Sequence, residues 1–117
     1  MFGIQEIEPA GLAGLIENAP ESVRLIDVRS EQEMAQGVIP GAEALPMHRV
    51  PLRLDDLRGN NKKLVIYCRT GARSGQVCAF LRQQGVNQAI NLRGGIVAWY
   101  RQGYPVEAPP AGRAAAG

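Results

Sequence analysis

The chain has 117 residues, enough for one compact domain around a single hydrophobic core. Apolar residues make up 45% and charged residues 21%, which excludes a disordered chain, and no apolar run is long enough to span a bilayer. The formal net charge of +2 is unevenly distributed, because residues 1–43 hold eight acidic and two basic side chains, whereas residues 44–117 hold three and eleven.

The first half of the chain alternates predicted strands and helices. A weak strand signal at residues 5–7 precedes a predicted helix with Pro9 in its first turn. Proline suits this position because a backbone N–H there would have no partner within the helix. The β-branched segment 23–28 predicts a buried strand, and the capping-box residues 30–33 predict a helix start directly after it. A second weak strand signal covers residues 42–45.

The second half continues the alternation with clearer boundaries. The segments 63–67 and 89–92 are short apolar runs, and each predicts a buried strand of a parallel sheet. Between them, Ser74 is expected to cap a helix that ends near Gly85. A last helix is expected to begin at about Gly95.

This order of elements predicts the fold class and the edge that carries the site. Strand–helix alternation implies right-handed crossovers, so we expect an α/β fold with a central, mostly parallel five-stranded sheet and helices on both faces. In such sheets ligands bind beyond the carboxyl ends of the strands. Two polar clusters follow predicted strand ends, at residues 27–29 and 68–74.

The two ends of the sequence indicate where the protein is located and how far its domain extends. The first eight residues have no basic flank and no apolar core, so we expect no secretory signal and a cytoplasmic location. Residues 108–117 have no large apolar side chain, and a disordered tail is expected after a domain that covers residues 1–107. Since the basic side chains are scattered with few aromatics between them, neither nucleic acid nor a membrane is expected as a partner.

The segment from Cys68 to Ser74 carries the predicted chemistry. A loop this short, with Gly71 inside it, turns its backbone N–H groups inward and forms an anion-binding nest. The N-terminus of the next helix, with Arg69 and Arg73, adds positive charge that favours the thiolate form of Cys68. The sequence therefore predicts a nucleophilic cysteine that needs neither a metal nor an organic cofactor.

Three segments, taken in order, carry a family resemblance. Residues 68–74, Cys-Arg-Thr-Gly-Ala-Arg-Ser, look like the active-site loop of the rhodanese-like sulfurtransferases. Residues 25–42 resemble the N-terminal signature of that family, and residues 94–106 resemble its C-terminal signature. The resemblance covers about residues 5–107, and it departs from the family at Val38, where histidine is common.

The resemblance implies a single-domain rhodanese fold and a catalytic role for Cys68. The cysteine would take a sulfane sulfur from a small anionic donor such as thiosulfate, hold it as a persulfide, and pass it to cyanide or to a thiol, including a protein thiol. Covalent storage of the sulfur divides the transfer into two steps. The expected substrate-binding residues are those of the loop, Arg69, Thr70, Gly71, Ala72 and Arg73.

Two other functions share parts of this pattern. A phosphatase on the same architecture has its phosphate-binding arginine six residues after the cysteine, whereas here Arg73 is the fifth residue and Ser74 the sixth. The shorter spacing gives a smaller cradle and disfavours that function. A persulfide relay or a non-catalytic binding module dedicated to a protein partner stays open, although such modules usually lack the nucleophile that Cys68 provides.

Several nearby side chains are expected to be structural. Asp27 and Arg29 are expected to form an ion pair or to hold the turn after their strand. Cys78 shares an apolar helix face and is expected to pack in the core. Trp99 and Tyr100, at helical spacing, are both expected to face the core.

Overall fold

Five parallel strands form the centre of the molecule. The computed structural model describes residues 3–59 and 61–109, so most of the predicted tail, from residue 110 onward, lies outside the described residues. The strands are β1 (Gln5–Ile7), β2 (Val23–Asp27), β3 (Glu43–Ala44), β4 (Lys63–Tyr67) and β5 (Ala89–Leu92). Their order in the sheet is β1-β5-β4-β2-β3, and neighbouring strands pair in parallel. The predicted α/β fold and its five strands are confirmed.

The four predicted helices begin at their predicted signals, with one exception, and a fifth helix, Leu54–Arg58, was not predicted. The helices are α1 (Pro9–Asn18), α2 (Glu31–Met34), α3 (Leu54–Arg58), α4 (Ala72–Gln83) and α5 (Gly95–Arg101), with 3₁₀ turns at Pro20–Ser22 and Met47–Arg53. The capping box is present, since Ser30 Oγ accepts from the Glu33 N–H at 3.2 Å and Glu33 Oε1 accepts from the Ser30 N–H at 3.1 Å. Across the described residues, each helix is too short or too polar to cross a bilayer.

The exception is the start of α4. Gly71, in the left-handed region with φ +104°, is the residue before the first helical turn, so the helix begins at Ala72 rather than after Ser74. The prediction that Ser74 caps the helix is therefore wrong. Glycine adopts this backbone conformation without strain, and it starts the helix early enough to place Ser74 inside the first turn, where it is buried.

The two faces of the sheet carry separate hydrophobic clusters. Successive side chains of a strand point to opposite faces, so Ile66 belongs to the cluster under α3 and α4, and Val65 to the cluster under α1 and α5. Cys78 lies in the first cluster with 0% exposure, which confirms its predicted core position. Trp99 is buried in the second, but Tyr100 is 68% exposed. The prediction for Tyr100 is wrong, because Gly95, Ile96 and Trp99 form the buried face of α5 and Tyr100 lies outside it.

The strand register brings the two polar clusters together. Asp27 lies opposite Tyr67 at the ends of β2 and β4, and Ile66 lies opposite Asn91 on β5. The residues that follow β2 and β4 therefore meet at one edge of the sheet, as predicted for a parallel arrangement. That edge carries Cys68 and the loop that follows it.

Candidate active site

Backbone N–H groups of α4 and α5 hold the loop after β4 by donating hydrogen bonds to its carbonyl groups. The Ile96 N–H donates to the Cys68 carbonyl at 3.0 Å, and the Val97 N–H donates to the Arg69 carbonyl at 3.1 Å. A third loop carbonyl, that of Gly71, accepts from the Gly75 N–H at 3.0 Å. Because these carbonyl groups are occupied elsewhere, the loop is left with N–H groups to direct at the cysteine sulfur.

The close approach of α5 to the loop depends on Gly95. This residue has φ +62°, and a Cβ atom there would lie 2.3 Å from the Arg69 carbonyl oxygen and 2.6 Å from that of Cys68. Any side chain at this position would push α5 away from the loop or distort the loop itself. The second glycine of the Gly-Gly pair is thus a requirement of the site.

Hydrogen-bond donors surround the sulfur of Cys68. The Gly71 N–H donates to Sγ at 3.1 Å, and Ser74 Oγ lies 3.3 Å from Sγ. Burial raises the pKa of the Cys68 thiol, but hydrogen bonds from the Ser74 hydroxyl and from the N–H groups of Ser74, Gly71 and Thr70 outweigh it, and the net pKa is lowered. The site therefore favours the thiolate, which is the nucleophilic form.

The sulfur lies at the bottom of the loop. Cys68 is 1% exposed, whereas Thr70 and Ala72, which the sequence singled out for their small side chains, lie exposed above it. A molecule that reacts with Cys68 must approach over these small residues. This geometry favours a narrow reacting group, such as a terminal sulfur atom, over a bulky one.

The two loop arginines have different surroundings. Arg73 forms a paired ion bridge with Glu33 of α2, with Nη1–Oε1 and Nη2–Oε2 distances of 2.7 and 2.8 Å. The Arg73 hydrogen bonds are the main reason that the pKa of Glu33 falls to about 2. Arg69 is exposed, and its side chain has no ion-pair partner among the described residues. Of the two loop arginines, Arg69 alone has no ion-pair partner among the described residues to compensate its charge.

Two surface hollows are each lined by one partner of the Arg73–Glu33 bridge. One, of about 410 Å³, is lined by Glu33, Arg69 and the exposed ring of Tyr100 among others. The other, of about 720 Å³, is lined by Arg73 and by His48 among others. Each hollow also borders the cysteine loop, the first through Arg69 and the second through Arg73.

A buried ion pair holds the turn after β2. Arg29 donates to both carboxylate oxygens of Asp27, at 2.8 Å for the shortest contact, and to the Gly37 carbonyl at 2.6 Å. Both side chains of the pair are buried, and the guanidinium lies over the Tyr67 ring, 5.7 Å from its centre. The predicted structural role of the pair is confirmed.

Sequence reasoning missed a polar network behind the loop. Ser74 Oγ lies 2.6 Å from Asn91 Oδ1, and Asn91 Nδ2 donates to Glu6 Oε2 at 3.1 Å. One signal was available, since an asparagine within the apolar run Ala-Ile-Asn-Leu must find partners when it is buried. Its partner could not be read from the chain, because Glu6 lies 85 residues away. In the part of the chain that the structure describes, no three histidine, cysteine or acidic residues are grouped to hold a metal ion.

Known proteins are similar to this chain over most of its length. The profile of the rhodanese-like domain family matches residues 8–102. A sulfurtransferase from Allochromatium vinosum is 47% identical over 106 residues, covering 91% of this chain and 97% of the relative. A solved structure of a human single-domain sulfurtransferase is 29% identical, with a TM-score of 0.71, and covers 86% of this chain and 98% of its own.

The same architecture also occurs in a protein described with a different function. A Rhodopseudomonas palustris protein of unknown function, described as a possible tyrosine phosphatase, has a TM-score of 0.83 and 25% identity. The match covers 89% of this chain and 85% of that one. The architecture alone therefore does not separate the two chemistries, and the residues of the loop must do so.

Proposed function

The chain belongs to the rhodanese-like sulfurtransferase family, and on that premise we propose that Cys68 carries a sulfane sulfur as a persulfide from thiosulfate or a related anionic donor to a thiol or to cyanide. The observation that supports this most directly is the contact between Cys68 Sγ and the Gly71 N–H, within a loop whose donors lower the pKa of the thiol. Thiolate chemistry of this kind belongs in a reducing compartment, which agrees with the predicted cytoplasmic location.

In the first step, the Cys68 thiolate attacks the outer sulfur of the donor. With thiosulfate, a new S–S bond forms at Cys68, the S–S bond of the donor breaks, and sulfite leaves with the bonding electron pair. The persulfide that remains has a terminal sulfur with anionic character. Preformed N–H donors stabilise such a charge without reorganisation, because they are already oriented by the loop backbone.

In the second step, the acceptor removes the stored sulfur. A thiolate or cyanide attacks the terminal sulfur of the persulfide, a bond forms between them, and the Cys68 thiolate leaves with the electron pair of the broken S–S bond. The same donors that stabilise the thiolate before the first step stabilise it as the leaving group here. The enzyme returns to its starting state.

The loop residues divide the work of binding. The Thr70, Gly71 and Ala72 backbone lines the approach to the sulfur, and the exposed Arg69 attracts an anionic donor toward it. Arg73 contributes to donor binding only when it exchanges Glu33 for the donor, since its guanidinium is engaged in the ion bridge. Arg69 is therefore proposed as the first contact and Arg73 as the second.

A persulfide relay to one partner protein is the alternative that fits the same loop. The exposed Arg69 and Tyr100 line a hollow beside the loop, where part of a partner protein could bind. A phosphatase is disfavoured, because the sixth residue after Cys68 is Ser74, which is buried and contacts Cys68 and Asn91 instead of presenting a guanidinium to phosphate.

Mass spectrometry after treatment with thiosulfate tests the proposal. The wild-type protein is expected to gain the mass of one sulfur, about 32 Da, that cyanide or a thiol then removes. The Cys68→Ser variant should show no gain, and Cys78→Ser, the same change at the other cysteine, should behave as wild type. Failure of wild type to gain mass from thiosulfate, from a polysulfide or from a persulfidated protein would leave only the binding module.

A further inference from the structure

One hydroxyl proton is shared by two acceptors behind the cysteine. Ser74 Oγ lies 3.3 Å from Cys68 Sγ and 2.6 Å from Asn91 Oδ1, and both distances are those of a hydrogen bond. A serine hydroxyl has a single proton to donate. Ser74 therefore donates either to the sulfur or to the asparagine, and not to both at full strength.

The orientation of the Asn91 amide group makes its oxygen an acceptor for the Ser74 proton. Its Nδ2 atom lies 3.1 Å from Glu6 Oε2 and 3.2 Å from the Gly71 carbonyl oxygen, and both of these atoms are acceptors. The amide group must therefore place its N–H groups toward Glu6 and Gly71, which leaves Oδ1 facing Ser74. An amide oxygen has no proton, so it can only accept the proton of the serine hydroxyl.

We propose that Asn91 is a positioning residue that competes with the Cys68 thiolate for the Ser74 hydroxyl proton and so limits how readily the sulfur ionises. With a neutral thiol, Ser74 donates to Asn91, the shorter contact. As the thiolate forms, the hydroxyl turns toward the sulfur, and Asn91 loses that hydrogen bond. The asparagine thus adds a cost to ionisation that an apolar residue at the same position would not.

Such a limit suits the two roles that Cys68 has in the proposed function, on which this part of the inference rests. In the first step the sulfur is a nucleophile, and nucleophilicity falls as the pKa of a thiol falls. In the second step it is a leaving group, and a thiol of lower pKa leaves faster. An intermediate acidity serves both steps, and Asn91 acts on that balance from behind the loop.

The other titratable groups around the cysteine keep their charged partners when Asn91 is replaced, although Glu6 loses the hydrogen bond from Asn91 Nδ2. On α4, Arg73 interacts with the charge of Cys68, and so does Cys78, whose pKa burial raises to about 12 and which is therefore neutral while Cys68 titrates. Behind Asn91, Glu6 of β1 also pairs with Arg93 at 3.2 Å. Glu6 keeps that partner when Asn91 is replaced.

The test is a pH titration of the Cys68 thiolate, followed by ultraviolet absorbance and by the rate of alkylation, in a Cys78→Ala background. Asn91→Leu keeps the size of the side chain but cannot accept the serine proton, so the titration midpoint is expected to fall by about one pH unit. An unchanged or higher midpoint in a folded Asn91→Leu protein would overturn the inference. Asn91→Ala serves as the second variant if the leucine protein does not fold.

Two controls separate competition for the proton from a general disturbance of the loop. Ser74→Ala removes the hydroxyl, so it is expected to raise the midpoint, and adding Asn91→Leu to Ser74→Ala should then produce no fall. A fall of equal size with and without the hydroxyl contradicts the inference. Glu6→Gln, which keeps an oxygen acceptor for Asn91, should move the midpoint less than Asn91→Leu does.

Failure of this inference and failure of the proposed function give different results. The titration uses the free protein and needs no sulfur donor, so a midpoint that falls as expected supports the role of Asn91 even when no sulfur is loaded. Normal sulfur loading with an unmoved midpoint overturns the role of Asn91 alone. Where loading works, Asn91→Leu should slow attack on the donor relative to the unloading step when both are measured at a pH above the two midpoints, where Cys68 is ionised in both proteins.

Discussion

The two cysteines of this chain are both buried, yet their surroundings drive their acidities in opposite directions. Cys68 is 1% exposed and Cys78 is 0% exposed. Burial raises the pKa of Cys78 to about 12, among apolar neighbours such as Leu81. Burial acts in the same sense on Cys68, but the donors of its loop reverse the result and lower its pKa. Fixed hydrogen-bond donors, rather than access to water, therefore distinguish the cysteine that we propose as the nucleophile from the one in the core.

The largest expected difference between the two cysteines is in alkylation. A thiol with a pKa of about 12 is ionised to only about one part in 10⁵ at pH 7. Iodoacetamide should therefore modify Cys68 and leave Cys78 unmodified in the folded protein, and unfolding in urea should expose both. Peptide mapping after a timed reaction measures the alkylation of each cysteine. Comparable labelling of Cys68 and Cys78 in the folded protein would contradict the expected difference.

The second test moves the loop donors while keeping every titratable group. Gly95→Ala places a Cβ atom 2.3 Å from the Arg69 carbonyl, so the loop or α5 must shift. We expect a loss of about 100-fold in the rate of sulfur loading, as misplacement by about 1 Å produces, and a rise in the Cys68 titration midpoint toward that of Cys78.

Gly14→Ala is the matched control for this change. Gly14 lies in α1, and among the described residues no heavy atom other than those of its chain neighbours and of its own helix backbone lies within 4 Å of the Cβ that alanine would add there. Loading should be unaffected, and stability should be equal or slightly higher, because alanine favours the helix. A Gly95→Ala protein with a normal loading rate would show that the loop tolerates displacement of its donors.

The third test asks whether remote charge adds to the effect of the donors. Glu33→Gln keeps the capping box, because glutamine also accepts from the Ser30 N–H, but it breaks the paired ion bridge to Arg73. The freed guanidinium should lower the KM for thiosulfate by about threefold to tenfold and lower the Cys68 midpoint slightly. Glu31→Gln, on the same helix, removes the same charge and should leave KM unchanged.

The smallest expected effect is that of Cys78→Ala. Removing this buried sulfur leaves a small cavity in the cluster under α4, which should lower the free energy of unfolding by about 1–2 kcal/mol. Sulfur loading at Cys68 should proceed at the wild-type rate. Urea denaturation and a loading assay on one preparation measure both quantities, and a large loss of loading would give Cys78 a role that its surroundings do not suggest.

The sequence predicts the fold well because its signals are local. Strand patterns, the first-turn Pro9 and the capping box at Ser30 each depend on a few neighbouring residues, and the structure has all of them. The errors come from geometry that spacing does not encode. Ser74 looks like a helix cap, but Gly71 starts the helix earlier, and Tyr100 lies outside the face of α5 that Ile96 and Trp99 bury against the sheet.

The candidate site is predictable in part. The loop identifies Cys68 and the nest that surrounds it, because both lie within one short segment. The ion bridge of Arg73 and the network behind Ser74 depend on Glu33, 40 residues earlier in the chain, and on Asn91, 17 residues later. Contacts at such separations are set by the strand order and register, which a single sequence does not supply.

The hydrogen bonds that the loop carbonyls accept from outside the loop have one more consequence. The carbonyl groups of Cys68, Arg69 and Gly71 are all occupied by N–H groups from other parts of the chain. The N–H groups that these residues leave facing the sulfur favour an occupant that accepts hydrogen bonds. The site therefore selects its occupants first by their charge and favours anions. Sulfite is an anion, so it should compete with the donor that releases it.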